Sequence, residues 1–238
     1  MCELIYGSAM TFFTEETVAF WKGLAKNNSK AWFDKNRKTY ESHLKEPYNR
    51  LAAALVEQVQ EVEPEYQTPV KQATYRINRD TRFAADKTPY KTQLGITIGR
   101  NEKHDPWWPA YTVRMGVEGV WVAGGLYMPG TELRDHVRRY VGENAAELAK
   151  LERKTTTFAK TFGQLQGEAH KRTPPELKEF VESEPRVLNK QWVYWADFED
   201  PKRFLDPKLD QFILDQWEIA RPAMEFLKDA CRTFVPTE

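Results

Sequence analysis

The sequence predicts a single α+β domain, with N-terminal and C-terminal helices packed on a central antiparallel sheet. Apolar residues recur at helical spacing through the first 62 residues and again after residue 206, while in the middle third they alternate with polar or small ones. No internal repeat or low-complexity linker divides the 238 residues. That length suits one large domain or two small ones, and the missing linker favours one; 41% hydrophobic and 13% aromatic residues supply the core.

The first helix opens at Thr14, where Phe13 and Val18 have the spacing of a hydrophobic staple and Glu15 and Glu16 place negative charge at the favourable end of the helix dipole. Val18, Trp21, Leu24 and Ala25 follow one face as far as Asn27-Asn28-Ser29. Side chains of those types compete with the backbone, ending one helix and capping the next, which carries Trp32, Phe33, Tyr40 and Leu44. Pro47 suits the first turn of a third helix, with Tyr48, Leu51, Leu55, Val59 and Val62 in its stripe and Pro64 as its end.

The period then falls to two at Tyr75 and Ile77, at Leu94, Ile96 and Ile98, and at Tyr111, Val113, Met115 and Val117. Glu118-Gly119 reads as a tight hairpin turn. The strand over residues 120–127 puts Val120, Val122 and Leu126 on one face and Trp121, Ala123 and Tyr127 on the other, which suits a central strand covered on both sides. Pro129-Gly130 leads into a helix striped by Leu133, Val137, Tyr140, Val141, Leu148 and Leu151, with Gly142 as its weak point. Pro174-Pro175 opens a short helix to about residue 182, and residues 192–195 read as a strand. From Asp206-Pro207 a last helix presents Leu209, Phe212, Ile213, Trp217 and Ile219, is interrupted or kinked at Pro222, and continues through Phe226, Leu227, Ala230 and Phe234.

Thirty-five basic residues balance 35 acidic ones, so attraction of the whole molecule to nucleic acid or an anionic membrane is not expected. The distribution is uneven, because residues 71–100 hold seven cations against two carboxylates. Within them, residues 76–91 gather Arg76, Arg79, Arg82, Lys87 and Lys91 with Asp80, Asp86 and Tyr90. If Tyr75 and Ile77 face the core, alternation turns Arg76, Asn78 and Asp80 away from it, and the turn-rich residues 86–89 fold Lys87 and Lys91 back nearby. Guanidinium groups bind phosphate or carboxylate through paired donors, so the segment reads as a binding site for a small anion, with Asp80, Asp86 and Tyr90 as the catalytic candidates.

Two other readings stay open. Asp80 and Asp86 could instead pair with neighbouring arginines and lock a loop against the sheet. Tyr75, Phe83 and Tyr90, interleaved with the cations, would suit a nucleic-acid or protein face, against which the neutral overall charge counts. Gly124-Gly125 either lets a ligand approach the backbone or marks a bulge or close packing, and it matches neither a P-loop nor a dinucleotide fingerprint.

Cys2 and Cys231, at opposite ends, form neither a disulfide framework nor a metal knuckle, which fits a cytoplasmic protein; Cys231 lies on an apolar stripe, as a core residue would. His43, His104, His136 and His170 include no pair at metal-ligand spacing, so no metal site is expected, and the sequence names no cofactor. Pro106-Trp107-Trp108-Pro109 is a sugar-stacking platform or a packed loop anchor. No run approaches the ~20 apolar residues of a membrane span.

The ordered set Asn27-Asn28-Ser29-Lys30-Ala31-Trp32-Phe33, residues 76–91 and Gly124-Gly125-Leu126-Tyr127-Met128-Pro129 resembles the family called domain of unknown function 2461. Its most particular element is Arg79-Asp80-Thr81-Arg82-Phe83 followed by Asp86-Lys87-Thr88-Pro89-Tyr90-Lys91. The resemblance spans about residues 12–234 and implies a single-domain bacterial and fungal group, with no reaction, cofactor or ligand attached. It puts Arg79, Asp80, Arg82, Asp86, Lys87, Tyr90, Lys91, Gly125 and Pro129 on the family's motif positions, and adds Arg138, in the helix after the glycine strand, to the ligand-binding set. Ala84-Ala85 departs from the more polar pair the family would have, and neither is an expected contact. Residues 1–11 are then an extension, expected to be disordered or dispensable, ahead of a domain over 12–235.

Overall fold

Four antiparallel strands lie side by side in chain order: β1 (Gln93–Ile98), β2 (Ala110–Gly116), β3 (Gly119–Leu126) and β4 (Trp192–Phe198). They are drawn from a computed structural model that describes residues 11–116, 118–200 and 203–236, so the expectations for residues 1–10 and for Cys2 lie outside the described residues. The register sets Ile96, Val113 and Val122 in one row and Leu94, Met115 and Val120 in the next, all buried on the same face. Period-two alternation makes that face the floor of the core.

Helices α1 (Glu15–Lys26), α2 (Lys30–Lys35), α3 (Arg37–Tyr40), α4 (Glu46–Val62) and α5 (Val70–Ala73) precede the sheet. Between β3 and β4 come α6 (Thr131–Glu143), α7 (Ala145–Leu151), α8 (Thr157–Phe162) and α9 (Lys178–Val181), and α10 (Leu209–Arg232) follows β4. The fold is the α+β domain expected, with α10 seated on the apolar sheet face: Trp217 packs on Tyr111 at 5.3 Å and Phe212 meets Phe198 edge-on at 4.9 Å. Each large side chain buried there contributes about 1.5–3 kcal/mol relative to leaving it in water. Cys231 is one of these core residues, a free thiol that burial pushes up to about 12.

Lys228 is 1% exposed, and three carboxylates surround it: Glu63, Glu225 at 2.9 Å and Glu65 at 3.4 Å. The Tyr111 hydroxyl donates to Glu63, joining the end of α4, α10 and β2 in one buried network. A cation this deep persists only because partners replace its water. Among the described residues no helix is long and apolar enough to cross a membrane.

Several local expectations need correction. Pro47 opens no separate helix; the chain runs from α3 through a π turn at Glu41–Lys45 into α4, and the Glu46 amide reaches back to the Glu41 carbonyl. Proline fits beside such a turn because it has no amide to satisfy. Gly116 pairs with Gly119, so Gly119 already belongs to β3 and not to the turn; its φ of 140° is a conformation a side chain would resist, and the expectation for Val117 lies outside the described residues. Tyr75 and Ile77 form no strand, only the flanking bridges Thr74↔Ile96 and Asn78↔Tyr90, because the Tyr75 amide bonds to the Tyr48 hydroxyl (2.8 Å) instead of a ladder.

The long helix after β3 breaks at Asn144, whose side chain bonds the Tyr140 carbonyl at 2.8 Å, and not at Gly142. Gly142 is small to admit the Phe180 ring, which a Cβ would meet at 2.5 Å. α10 continues through Pro222 without interruption, since buried residues on both sides, from Trp217 to Met224, hold it against the sheet.

Candidate functional site

The opposite face of the same sheet is built differently. Its rows read Gly95–Arg114–Trp121–Asp197 and Thr97–Thr112–Ala123–Trp195, followed by Ala110–Gly125–Val193. Small and polar residues here leave the sheet uncovered, and it floors a cleft of about 1130 Å³ walled by parts of residues 75–91 and 103–108.

Side chains remote in sequence fasten these walls. Tyr48 on α4 accepts the Tyr75 amide and donates to the Gly95 carbonyl of β1. The Asn28 amide clasps the Tyr90 backbone twice, at 2.9 and 3.1 Å, while the Tyr90 ring stacks on Phe33 at 4.1 Å. Lys103 donates to the Thr74 carbonyl at 3.0 Å. Tyr75 lies over Gly95, where a Cβ would touch its ring at 3.4 Å.

Residues 78–90 form a closed loop. Its base is the Asn78↔Tyr90 bridge, with Arg79 N bonded to the Pro89 carbonyl at 2.9 Å and Lys91 N to the Ile77 carbonyl at 2.8 Å. Arg79 donates to Asp86 and to Thr88; the Thr88 amide, together with Arg79, holds the Asp86 carboxyl down to about 2. Arg82 makes a two-pronged pair with Asp80 at 2.7 and 3.0 Å, which lowers that carboxyl as well. Lys87 caps the Thr81 carbonyl at 2.9 Å. The aspartates thus take neighbouring arginines, as the loop-locking reading describes.

Of the residues singled out in the sequence, Arg79, Asp86, Tyr90, Lys91, Gly124 and Gly125 line the cleft. Arg76, Asp80, Arg82 and Lys87 are exposed and do not line it. Arg138 is buried on α6, donating to the carbonyls of Asn189 at 3.0 Å and Leu188 at 3.4 Å and pairing with Asp135 at 2.9 Å, and it too is absent from the lining. Gly124 faces the core, where the Tyr194 hydroxyl occupies the space of its missing Cβ; Gly125, with φ of 118°, faces the cleft.

The cleft brings Lys91 together with two cations the motif did not include, Lys103 and Arg114. None of the three has a carboxylate within ion-pair distance among the described residues. Burial, then the charges of Arg76, Lys103 and Arg114, push the Lys91 ammonium below its ordinary value. Lys103 and Lys91 flank the Tyr75 ring at 4.5 and 5.4 Å from its centre, and Arg114 covers Trp121 at 4.7 Å.

A polar chain runs beside them: Thr112 to Thr97 at 3.1 Å, Thr97 to the Tyr75 hydroxyl at 3.2 Å, and Tyr75 to His104 Nε2 at 3.3 Å. Burial and the Lys103 charge hold His104 below the ordinary imidazole value, which favours its neutral form. Alternation in β2 already turned Thr112 and Arg114 away from the core, a signal that could have nominated them; nothing local nominates Lys103 or His104. Trp108, half of the tryptophan pair, is a buried anchor at the cleft edge beneath the Arg100 guanidinium at 4.5 Å.

The family model of DUF2461, described as conserved hypothetical protein, matches residues 16–226. The chain belongs to the DUF2461 family. Every residue lining the cleft, from Ala25 to Trp195, falls inside the matched span, so the cleft belongs to the DUF2461 domain and not to an appendage. The chain matches none of the curated proteins.

Proposed function

We propose that this DUF2461 protein binds a small phosphorylated or carboxylated molecule in the sheet cleft. The observation that carries the reading is that Lys91, Lys103 and Arg114 share one concave site with no counter-charge in ion-pair reach among the described residues. Like charges held together raise one another's energy, and an anion seated among them relieves that repulsion while accepting charge-assisted hydrogen bonds. His104 and Tyr75 stand beside the same cations and supply the groups for proton exchange with a bound ligand. A cytoplasmic setting goes with this reading, in keeping with the free buried thiol of Cys231.

The test is a thermal-shift series with pyrophosphate, short-chain dicarboxylates and sugar phosphates, run on the wild type and on Arg114→Gln. An anion at ~100 times its dissociation constant adds about 2.7 kcal/mol, or roughly 5–11 °C for a domain of this size. The shift should shrink in Arg114→Gln; absence of any anion shift in a folded wild type would defeat the proposal.

One observation favours a second reading, a protein or nucleic-acid interaction module. Phe83 is 97% exposed at the tip of the closed loop, against the Arg82 guanidinium at 6.0 Å. Oligonucleotide binding that disappears with salt and with Phe83→Ser would promote that reading.

A further inference from the structure

The cleft is chemically two-ended. Its charged end gathers over β1 and β2, where Lys91, Lys103 and Arg114 surround Tyr75. Its other end lies over β3 and β4, where Ala123, Gly125, Val193 and Trp195 make the floor and Tyr127 and Met128 the rim. No side chain of that second set carries a charge. Tyr127 is 64% exposed and Met128 59%, large apolar surface left in water at the mouth of a cleft whose floor is also apolar. Trp121 stands where the two ends meet, because the register places it beside Arg114 and one step along β3 from Ala123.

We infer that the ligand of this cleft is an amphipathic anion, a planar aromatic or heteroaromatic ring joined to a phosphate or carboxylate; the inference rests on the anion-binding reading above and adds the ring. The floor fits a flat ring in particular. Ala123 and Gly125 keep the sheet surface low, and Trp195 lines the same floor, with Trp121 beside it under the Arg114 guanidinium. Adjacent strands are about 4.8 Å apart, so the midlines of the β1–β2 and β3–β4 pairs are about 10 Å apart across the sheet. A ring centred on one pair and an anion centred on the other are separated by about that distance, the span of a nucleoside monophosphate or an aryl phosphate and shorter than that of a long-chain acyl anion. A nucleotide and a simple aryl anion share this chemistry.

Isothermal titration of the full chain with methyl phosphate, 1-naphthyl phosphate, 1-naphthol and adenosine monophosphate separates the two ends. The aryl phosphate should bind at least about ten-fold tighter than methyl phosphate, the worth of burying one ring. In Tyr127→Ser and in Trp195→Ala that ratio should fall toward one; Tyr127 is largely exposed, so its replacement leaves the fold intact, which the melting temperature verifies. Adenosine monophosphate exceeding naphthyl phosphate would identify a heteroaromatic ligand, and the reverse a simple aryl anion. Equal affinity for methyl and naphthyl phosphate would overturn the inference while leaving the anion-binding proposal standing. Naphthol binding as tightly as naphthyl phosphate would overturn it from the other side, because the cations would then contribute nothing. If none of the three phosphates binds, and 1-naphthoate and acetate added as the carboxylate pair do not bind either, the anion-binding proposal itself falls, and this one with it.

Discussion

Replacing Gly124 by alanine separates packing from ligand approach at a residue of the glycine pair. A Cβ at position 124 would stand 2.3 Å from Tyr194 Oη, 2.7 Å from Cζ and 3.0 Å from the Ala110 carbonyl, where ordinary contact begins at 3.4 Å. The phenol would have to retreat by about 1 Å, but Tyr194 is fully buried, with Phe162 at 4.8 Å and Phe158 at 5.8 Å. Overpacking of this kind costs about 1–3 kcal/mol, and the enclosed ring puts Gly124→Ala toward the upper end. Tyr194 Oη has no hydrogen-bond partner among the described residues, so Tyr194→Phe alone should be neutral or stabilising. In the double variant the closest contact vanishes, and about 1 kcal/mol of the alanine penalty should return. Urea denaturation of the four proteins, read as a double-mutant cycle, measures this directly. A Gly124→Ala protein within about 0.5 kcal/mol of wild type, or no coupling to Tyr194→Phe, would refute the packing argument and return Gly124 to the ligand-approach reading.

Anion affinity, measured by titration calorimetry, should weaken as pH rises through the folded-state value of Lys91, because that value lies below the ordinary 10.5 and the ammonium is the form that attracts the ligand; affinity constant up to pH 10.5 would exclude Lys91 from the site. Glu63→Gln should cost about 1–3 kcal/mol in denaturant unfolding, because the amide offers one acceptor oxygen where Lys228 and the Tyr111 hydroxyl each used one of the carboxylate's two, while Glu225 and Glu65 still face the ammonium. The closed loop should open in acid: the Asp86 carboxyl is lowered on folding, so its contribution is complete above the unfolded value of 3.8 and is lost as pH falls through about 2. The Thr88 amide, whose N–H bonds Asp86 at 2.9 Å, should lose its protection against exchange, measured relative to the intrinsic rate at each pH, across that window, and unchanged protection would remove Asp86 from the loop's closure.

Much of the fold was legible because its rules are local. Ser29 caps α2 as its residue type predicts, accepting the Trp32 amide at 3.3 Å, and the alternation over residues 94–98, 111–115 and 120–126 marks one face of each strand as buried. The misreadings occur where a distant group replaces a local one. Tyr48 takes the amide that would have made Tyr75 part of a strand, and the Phe180 ring explains a glycine that resembled a helix breaker.

At the candidate site, residue spacing alone marks residues 76–91 as dense in charge and puts aspartates within reach of Arg79 and Arg82, and the alternation of Tyr111, Val113 and Met115 leaves the residues between them for the other face. Tertiary structure decided which charges remain without a counter-charge. Arg79 and Arg82 have carboxylates seven and two residues away and close on them, as short loops allow. Lys91, Lys103 and Arg114 meet only because the β1–β2 register and the folding-over of residues 103–108 bring separate segments to one sheet face. An ion pair a few residues apart is written in spacing; a cluster of cations without one depends on long-range pairing that no local pattern records.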